Sequence, residues 1–273
     1  MEFDIYINGR CNRNDDLYFL KILRNYEEPK EKVDYKYIFS DKRLKLVNEL
    51  IPKAICEQAT KEFDLQCHLM HWVRRNLLNG NDAPVRPFNT LNILEKTKES
   101  NFRSSCWVHA VVLNEVFLSF GFRSRMVRCL PLDLRPIDCH CVTLCYSNDY
   151  QKWIVYDSAM GTIYTNKDKV PLSLREMRYL LITQQEIKMP FVLHRTSQNL
   201  RWYLIKNMIR FQSYQTSCFN MEENEIEQTI FCLNPAKYQL EDKIVIDRGN
   251  KVYIKNVYNE DDFWGVESGE NNV

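Results

Sequence analysis

Three side chains in the middle of the sequence have the types and spacing of a nucleophilic centre: Cys106, His140 and Asp157, with 34 residues from the first to the second and 17 from the second to the third. Cys106 opens the run Cys106-Trp107-Val108-His109-Ala110-Val111-Val112-Leu113, which follows Ser104-Ser105 and ends at Gly121. Either serine suits an N-cap, and Gly121 suits the left-handed residue after a helix. A thiol in the first turn would face free backbone N–H groups and the positive end of the macrodipole. Both favour the thiolate, lowering the pKa from the free value of about 8.5. The same N–H groups can face the oxyanion that forms when a thiolate attacks a carbonyl. Taken alone, Cys106 has a plain alternative as a packed, inert thiol.

His140 and Asp157 sit on two strand-like runs, His140–Tyr146 and Gln151–Asp157, separated by the turn-forming Ser147-Asn148-Asp149-Tyr150. With that turn, Tyr146 opposes Gln151, Leu144 opposes Trp153, Val142 opposes Val155 and His140 opposes Asp157. Directly opposed residues share a face, with Cβ atoms about 4.5–5.5 Å apart. An imidazole would then lie beside a carboxylate that orients it and stabilises its charged form. A one-residue slip would put the two on opposite faces, and a purely structural His–Asp pair is the competing reading. A cysteine activated by a histidine that an aspartate holds is the generalised nucleophilic triad.

Other chemistry-bearing residues are weaker candidates. His109, three residues past Cys106 in one helix, is a rival base. Trp107, Trp153 and Trp202 are expected chiefly to pack, with lining of an acceptor tunnel as the alternative. Arg125 and Arg128 are expected as structural ion-pair partners, with an acidic substrate as the alternative. Among the ten cysteines no Cys-x-x-Cys occurs, so most are expected to be buried free thiols rather than zinc ligands. Cys139-His140-Cys141 alternates across a strand and cannot converge on one ion. Cys67, His68 and His71 form the one other cluster that a metal could use. No cofactor and no metal are expected.

The elements that must position these residues follow from periodicity. Helical spacing runs over Asp16–Asn25, from Asp41 through Leu44, Val47 and Ile51 with a division at Pro52, over Glu62–Leu78 closed by Gly80, and over Leu91–Lys98. The Cys106 helix is apolar nearly all round, as a buried helix is, which makes it the expected centre of the core. Ser173 and Glu176 form a capping box for a helix to about Ile187, and Gln198–Phe211 reads as another helix. Thr229–Asn234, Lys243–Asp247 and Lys251–Tyr258 read as strands, with Gly249 turning the last hairpin and Glu267–Val273 a frayed tail. This divides the chain into residues 1–60 as a helical extension or lid, 61–215 as the core around Cys106, and 216–273 as a β-rich segment packed on it.

Composition narrows the class. The chain has 273 residues, 45% hydrophobic and 27% charged, with a formal net charge of +1. That balance fits an ordinary globular protein and argues against a nucleic-acid partner, which a basic excess would accompany. No run reaches the roughly 20 apolar residues of a spanning helix, so no membrane association is expected. The start, MEFDIYINGR, has no basic region followed by an apolar stretch, so no signal peptide is expected, and the expected location is the cytoplasm. Oligomeric state is not legible.

The segment Cys106-Trp107-Val108-His109-Ala110 resembles the nucleophile segment of animal transglutaminases, where Cys-Trp-Val is followed by one residue and Ala. Gly121-Phe122-Arg123-Ser124-Arg125-Met126-Val127 resembles that family's Gly-hydrophobic-x-x-Arg-hydrophobic-hydrophobic stretch. Asp138-Cys139-His140 resembles its histidine segment, and Trp153-Ile154-Val155-Tyr156-Asp157 its Trp-x-x-x-Asp. The likeness covers about Ser104 to Ala159. Ser104-Ser105 depart from the usual Gly-containing lead-in, and Ser158 stands where proline is common. With no room for extra β-sandwich domains, the chain looks more like compact bacterial transglutaminase-like proteins. The resemblance implies an α+β, papain-like core and acyl transfer from a protein, peptide or small amide through a thioester at Cys106. Hydrolysis is slightly favoured over transamidation. The alternative is an inactive interaction module that keeps the triad by descent.

Overall fold

The computed structural model describes residues 13–23, 26–30, 32–83, 85–99, 102–134, 138–189, 194–223, 227–247 and 250–265. In the first part of the chain lie α1 (Arg13–Ile22), β1 (Lys36–Tyr37), α2 (Lys42–Glu49), α3 (Lys53–Glu57), α4 (Glu62–Asn76), β2 (Leu78–Asn79) and α5 (Thr90–Glu99). The middle holds β3 (Arg103–Ser104), α6 (Cys106–Ser119), β4 (Ser124–Leu130), β5 (His140–Ser147), β6 (Lys152–Asp157), β7 (Thr162–Ile163) and α7 (Leu174–Ile182). There follow α8 (His194–Lys206), β8 (Arg210–Tyr214), β9 (Thr216–Ser217), β10 (Gln228–Leu233), β11 (Lys243–Asp247), β12 (Asn250–Val257) and α9 (Glu260–Trp264). Eight strands form one sheet in the order β11-β12-β10-β8-β4-β5-β6-β7. Only β10 and β12 pair in parallel within it; the other neighbours are antiparallel. The class is α+β, as the sequence predicts.

The alternation of β5 explains why the sheet sits between two helical layers. Side chains at successive positions face opposite ways, and all eight residues of β5 are buried. Cys141 and Cys145, with Met126, Ile154 and Tyr156, face the layer containing α6, α4, α2 and α5. Val142 and Leu144, with Val127, Cys129 and Val155, face the layer containing α1, α7 and α8. In α6 every residue from Val108 to Leu118 is buried, so its nearly uniform apolarity is satisfied by neighbours on all sides. Gly121 takes φ +77° just past its end, the conformation expected of it.

The hairpin that carries His140 and Asp157 differs from the expected one by two residues. Its turn is Asn148–Gln151, and the pairs are Ser147 with Lys152, Tyr146 with Trp153 and Leu144 with Val155. Three features favour this register. Gln151 adopts φ 52°, and its side-chain amide donates to the Asn148 carbonyl at 2.7 Å. Glu62 accepts from both the Asn148 backbone and its side chain. Tyr146 and Trp153 meet edge to face, their centroids 5.7 Å apart, instead of Tyr146 facing a glutamine. A two-residue shift keeps every side chain on its face. His140 and Asp157 therefore become diagonal rather than direct neighbours, still on the same side.

Other expectations need correction. The helix from Glu62 ends at Asn76, because Leu77 is already extended and the chain enters β2. Gly80 is no helix stop: a Cβ there would run into Arg103 Cβ, so glycine permits the parallel β2–β3 contact. The predicted helix to Phe211 ends at Lys206, and Arg210 and Phe211 join the sheet in β8, where pairing with β4 overrides helical periodicity. The capping box at Ser173 and Glu176 is present, but its helix stops at Ile182. Pro52 does divide two helices, at the N-cap of α3. The three C-terminal strands form as predicted, and Asn259 caps the further helix α9. Gly249 and Glu267–Val273 lie outside the described residues. Among the described residues no helix is long and apolar enough to cross a membrane.

Candidate active site

Each of the three singled-out residues lies at an element terminus: Cys106 is the first residue of α6, His140 the first of β5 and Asp157 the last of β6. The sheet brings the last two together on the side away from α6. His140 Nε2 and Asp157 Oδ2 are 2.6 Å apart, both side chains fully buried. Asp157 Oδ2 also accepts from the Tyr164 hydroxyl at 2.6 Å, and Oδ1 accepts from the Met160 backbone N–H at 3.0 Å. An ionised carboxylate only accepts, so Nε2 carries a hydrogen. Among the described residues Nδ1 has no hydrogen-bond partner, and it is the nitrogen left for the Cys106 thiol, with which the ring interacts.

The electrostatics follow from these contacts. A hydrogen bond from Cys141 does most to stabilise the Cys106 thiolate, burial opposes it, and His140 adds to it, so the pKa is pushed down to about 5. For His140, burial disfavours the charge, but Asp157 and then Cys106 outweigh it, and the pKa is pushed up to about 10. Burial likewise works against the Asp157 carboxylate, but the His140 charge and the hydrogen bonds from His140 and Tyr164 hold it below its ordinary range. Between about pH 5 and 10 the resting form is thus a thiolate–imidazolium pair braced by a carboxylate.

Ser105 occupies the N-cap of α6, yet its side chain makes no capping bond. The N–H groups opening the helix are therefore not taken by the cap and remain beside Cys106. Tyr203 closes another side: its hydroxyl donates to the Cys139 carbonyl at 2.7 Å, and its ring stands edge-on to His140 with centroids 5.3 Å apart. The cavity here, about 470 Å³, is lined by Cys106, Trp107, Arg128, Cys139, His140 and Tyr203 among others. A second cavity of about 660 Å³ shares Trp107 and Arg128 with it.

The secondary candidates separate clearly. His109 is fully buried, neither ring nitrogen has a partner among the described residues, and burial, then Arg74, pushes its pKa down to about 4; it does not line the cavity at Cys106. Trp153 packs between Tyr37 and Tyr146, and Trp202 packs on the second core cluster. Trp107, against Phe88 at 4.9 Å, is the tryptophan at the site. Arg125 is a core residue stacked on Tyr35 and Trp153. Arg128, by contrast, lies at the site, hydrogen-bonded to Cys139, with no carboxylate ion-paired to it among the described residues. The nine described cysteines are all free thiols; Cys11 lies outside the described residues. Cys67, His68 and His71 do not converge, and among the described residues no group of three or more His, Cys, Asp or Glu is placed to hold a metal ion.

Sequence reasoning missed Tyr164 and Tyr203. Tyr164 follows the short β6–β7 hairpin, in which Asp157 pairs with Thr162, so reading that turn would have returned it towards Asp157. Tyr203 arrives from a helix 63 residues beyond His140, and no local pattern signals it.

The α+β fold thus brings a thiol to a buried imidazole–carboxylate pair. No protein-family model matches the sequence, and no curated protein matches it. Among solved structures the chain is similar to one titled as a "putative cysteine protease" from Cytophaga hutchinsonii, with 16% identity and a TM-score of 0.33, over 53% of this chain and 42% of that one. The chain thus spans less than half the length of that protein.

Proposed function

We propose that the chain is a cysteine-dependent amide hydrolase or acyltransferase of the transglutaminase-like kind, acting through a thioester at Cys106. The observation that carries this reading is the fully buried His140–Asp157 pair at 2.6 Å, whose remaining ring nitrogen is left for Cys106. The Cys106 thiolate attacks the carbonyl carbon of a carboxamide or peptide. The oxyanion that forms faces the N–H groups opening α6. His140 gives its Nδ1 proton to the departing amine as the C–N bond breaks, leaving the acyl group on sulfur. Water or a second amine then attacks the thioester, His140 takes its proton, and the thiolate departs. Asp157 holds the ring throughout and is itself held by Tyr164 and Met160. Hydrolysis is the slightly favoured outcome; the cavity at Cys106 shares Trp107 and Arg128 with a second, larger one.

The test is iodoacetamide labelling of the folded protein near pH 6, read by peptide mapping over all cysteines, followed by turnover assays with peptide and side-chain amides. Cys106 is expected to label fastest, His140→Ala to remove that preference, and Cys106→Ala to abolish turnover. Full turnover by Cys106→Ala would overturn the reading. A Cys106 that stays unreactive while other thiols label would favour the non-enzymatic interaction module.

A further inference from the structure

Cys106 is not the only thiol at the site. Cys139 and Cys141 flank His140, and because they are two apart on one chain they turn to the opposite face from it, towards α6. Both line the cavity with Cys106. Cys106 Sγ lies 3.7 Å from the Cys139 carbonyl oxygen, and the Cys141 thiol is within hydrogen-bonding reach of both Cys106 and Cys139. Arg128, which pairs with Cys141 across β4 and β5, places its guanidinium against Cys139. An acyl-transfer triad needs one sulfur, so two more lining the same cavity are unexplained by that chemistry.

Their arrangement suits oxidation. A thiolate is the form that hydroperoxides attack, and a sulfenic acid lasts only until a neighbouring thiol condenses with it. Of the two neighbouring thiols, Cys141 is the one whose side chain interacts with that of Cys106, whereas Cys139 meets Cys106 through its backbone carbonyl. Cys141 is buried and keeps its proton, since its one S–H, shared between Cys106 and Cys139, and then burial, push its pKa well up. Cys139 is half-buried; its hydrogen bond from Cys141, against burial and with Arg128, pushes its pKa down to about 6.

We propose that Cys106, resting on its role as the nucleophile, is also a reversible oxidation site, at which a hydroperoxide makes a sulfenic acid and Cys141 captures it as a Cys106–Cys141 disulfide. In the first step the thiolate attacks the O–O bond: an S–O bond forms, the sulfur is oxidised, and the peroxide leaves as an alcohol or water after taking a proton. In the second the Cys141 sulfur attacks the Cys106 sulfur: the S–S bond forms, the S–O bond breaks, and hydroxide leaves with the Cys141 proton as water. The disulfide removes the nucleophile and shields it from further oxidation; a dithiol restores it by exchange.

The experiment treats the full chain with hydrogen peroxide, blocks free thiols with iodoacetamide and maps peptides without reduction. The expected result is loss of labelling at Cys106, a Cys106–Cys141 linked peptide, and recovery of labelling after dithiothreitol. Cys139→Ser should keep the link. Cys141→Ser should lose it and carry Cys106 on to sulfinic acid, which dithiothreitol does not reverse. If untreated Cys106 labels rapidly yet peroxide takes it straight to sulfinic acid, or links it to Cys139, the proposal fails and the nucleophile reading stands. If untreated Cys106 does not label at all, both fail together.

Discussion

Cys106 and His140 move each other's titration in opposite directions, and that has a measurable sign. A thiol pKa lowered to about 5 means that the reactive thiolate is already present above that pH. Alkylation of Cys106 should be level from about pH 6 to 9 and fall about tenfold per pH unit below 5, whereas an ordinary thiol would climb towards about pH 8.5. In His140→Ala the acid limb should move up by about two pH units, past pH 6, because the imidazolium that helps to hold the thiolate is gone. Tyr164 acts at one remove. Its hydroxyl is the second donor to Asp157 Oδ2, and a hydrogen bond to a charged group contributes about 1.5–3 kcal/mol. Tyr164→Phe should therefore raise the Asp157 pKa, weaken the imidazolium, and slow Cys106 labelling near pH 6 by about twofold, less than His140→Ala does, while leaving the fold intact. A labelling profile identical to that of the unmodified chain would remove Tyr164 from the positioning of Asp157.

At the scale of elements, α6 and the β5–β6 hairpin were legible in the sequence because each is governed by local chemistry: one apolar face after another, a glycine stop, a strand–turn–strand alternation. What was not legible was set at a distance. Glu62 holds the hairpin turn from 86 residues away, and that contact, with the Tyr146–Trp153 pair, moved the register by two. Parity survived, which is why His140 and Asp157 still meet although their expected direct opposition does not occur. Tyr203 and the Cys106–Cys141 contact depend on how helices and strands stack, which periodicity cannot give. Glu115 shows the same long-range logic. It is fully buried in α6, and its two carboxylate oxygens accept from the Thr90 backbone N–H at the start of α5 and from that of Asn220. Replacing one oxygen by an amide in Glu115→Gln leaves a buried N–H facing another donor, at a cost of about 1–3 kcal/mol. The urea midpoint should fall accordingly with the slope unchanged. An unaltered midpoint would mean that this carboxylate does not tie α5 to α6.

Over the whole molecule, the sheet is covered unevenly, and under the proposed function this leads to an expected substrate preference. Register carries one face continuously outward from the site: Arg128 pairs with Gln212, Gln212 with Cys232, and Cys232 with Asn256. Helix α6 packs on this face over β4 and β5, while over β8, β10, β12 and β11 the same face forms the floor of the 660 Å³ cavity. Trp107 and Arg128 stand where the two cavities adjoin. A small amide would fill only the part beside Cys106, whereas an extended peptide would also lie over the outer strands and gain contacts there. Binding energy gained away from the reacting carbonyl can be used to hold it in place, so peptide amides should turn over with higher kcat/KM than small amides. Val245, half-buried on the floor of the outer cavity, offers the discriminating change. Val245→Trp should lower kcat/KM for a peptide by about tenfold, the equivalent of about 1.4 kcal/mol, and leave a small amide unaffected. Equal losses on both substrates would show that the outer half of the sheet takes no part in binding the acyl donor.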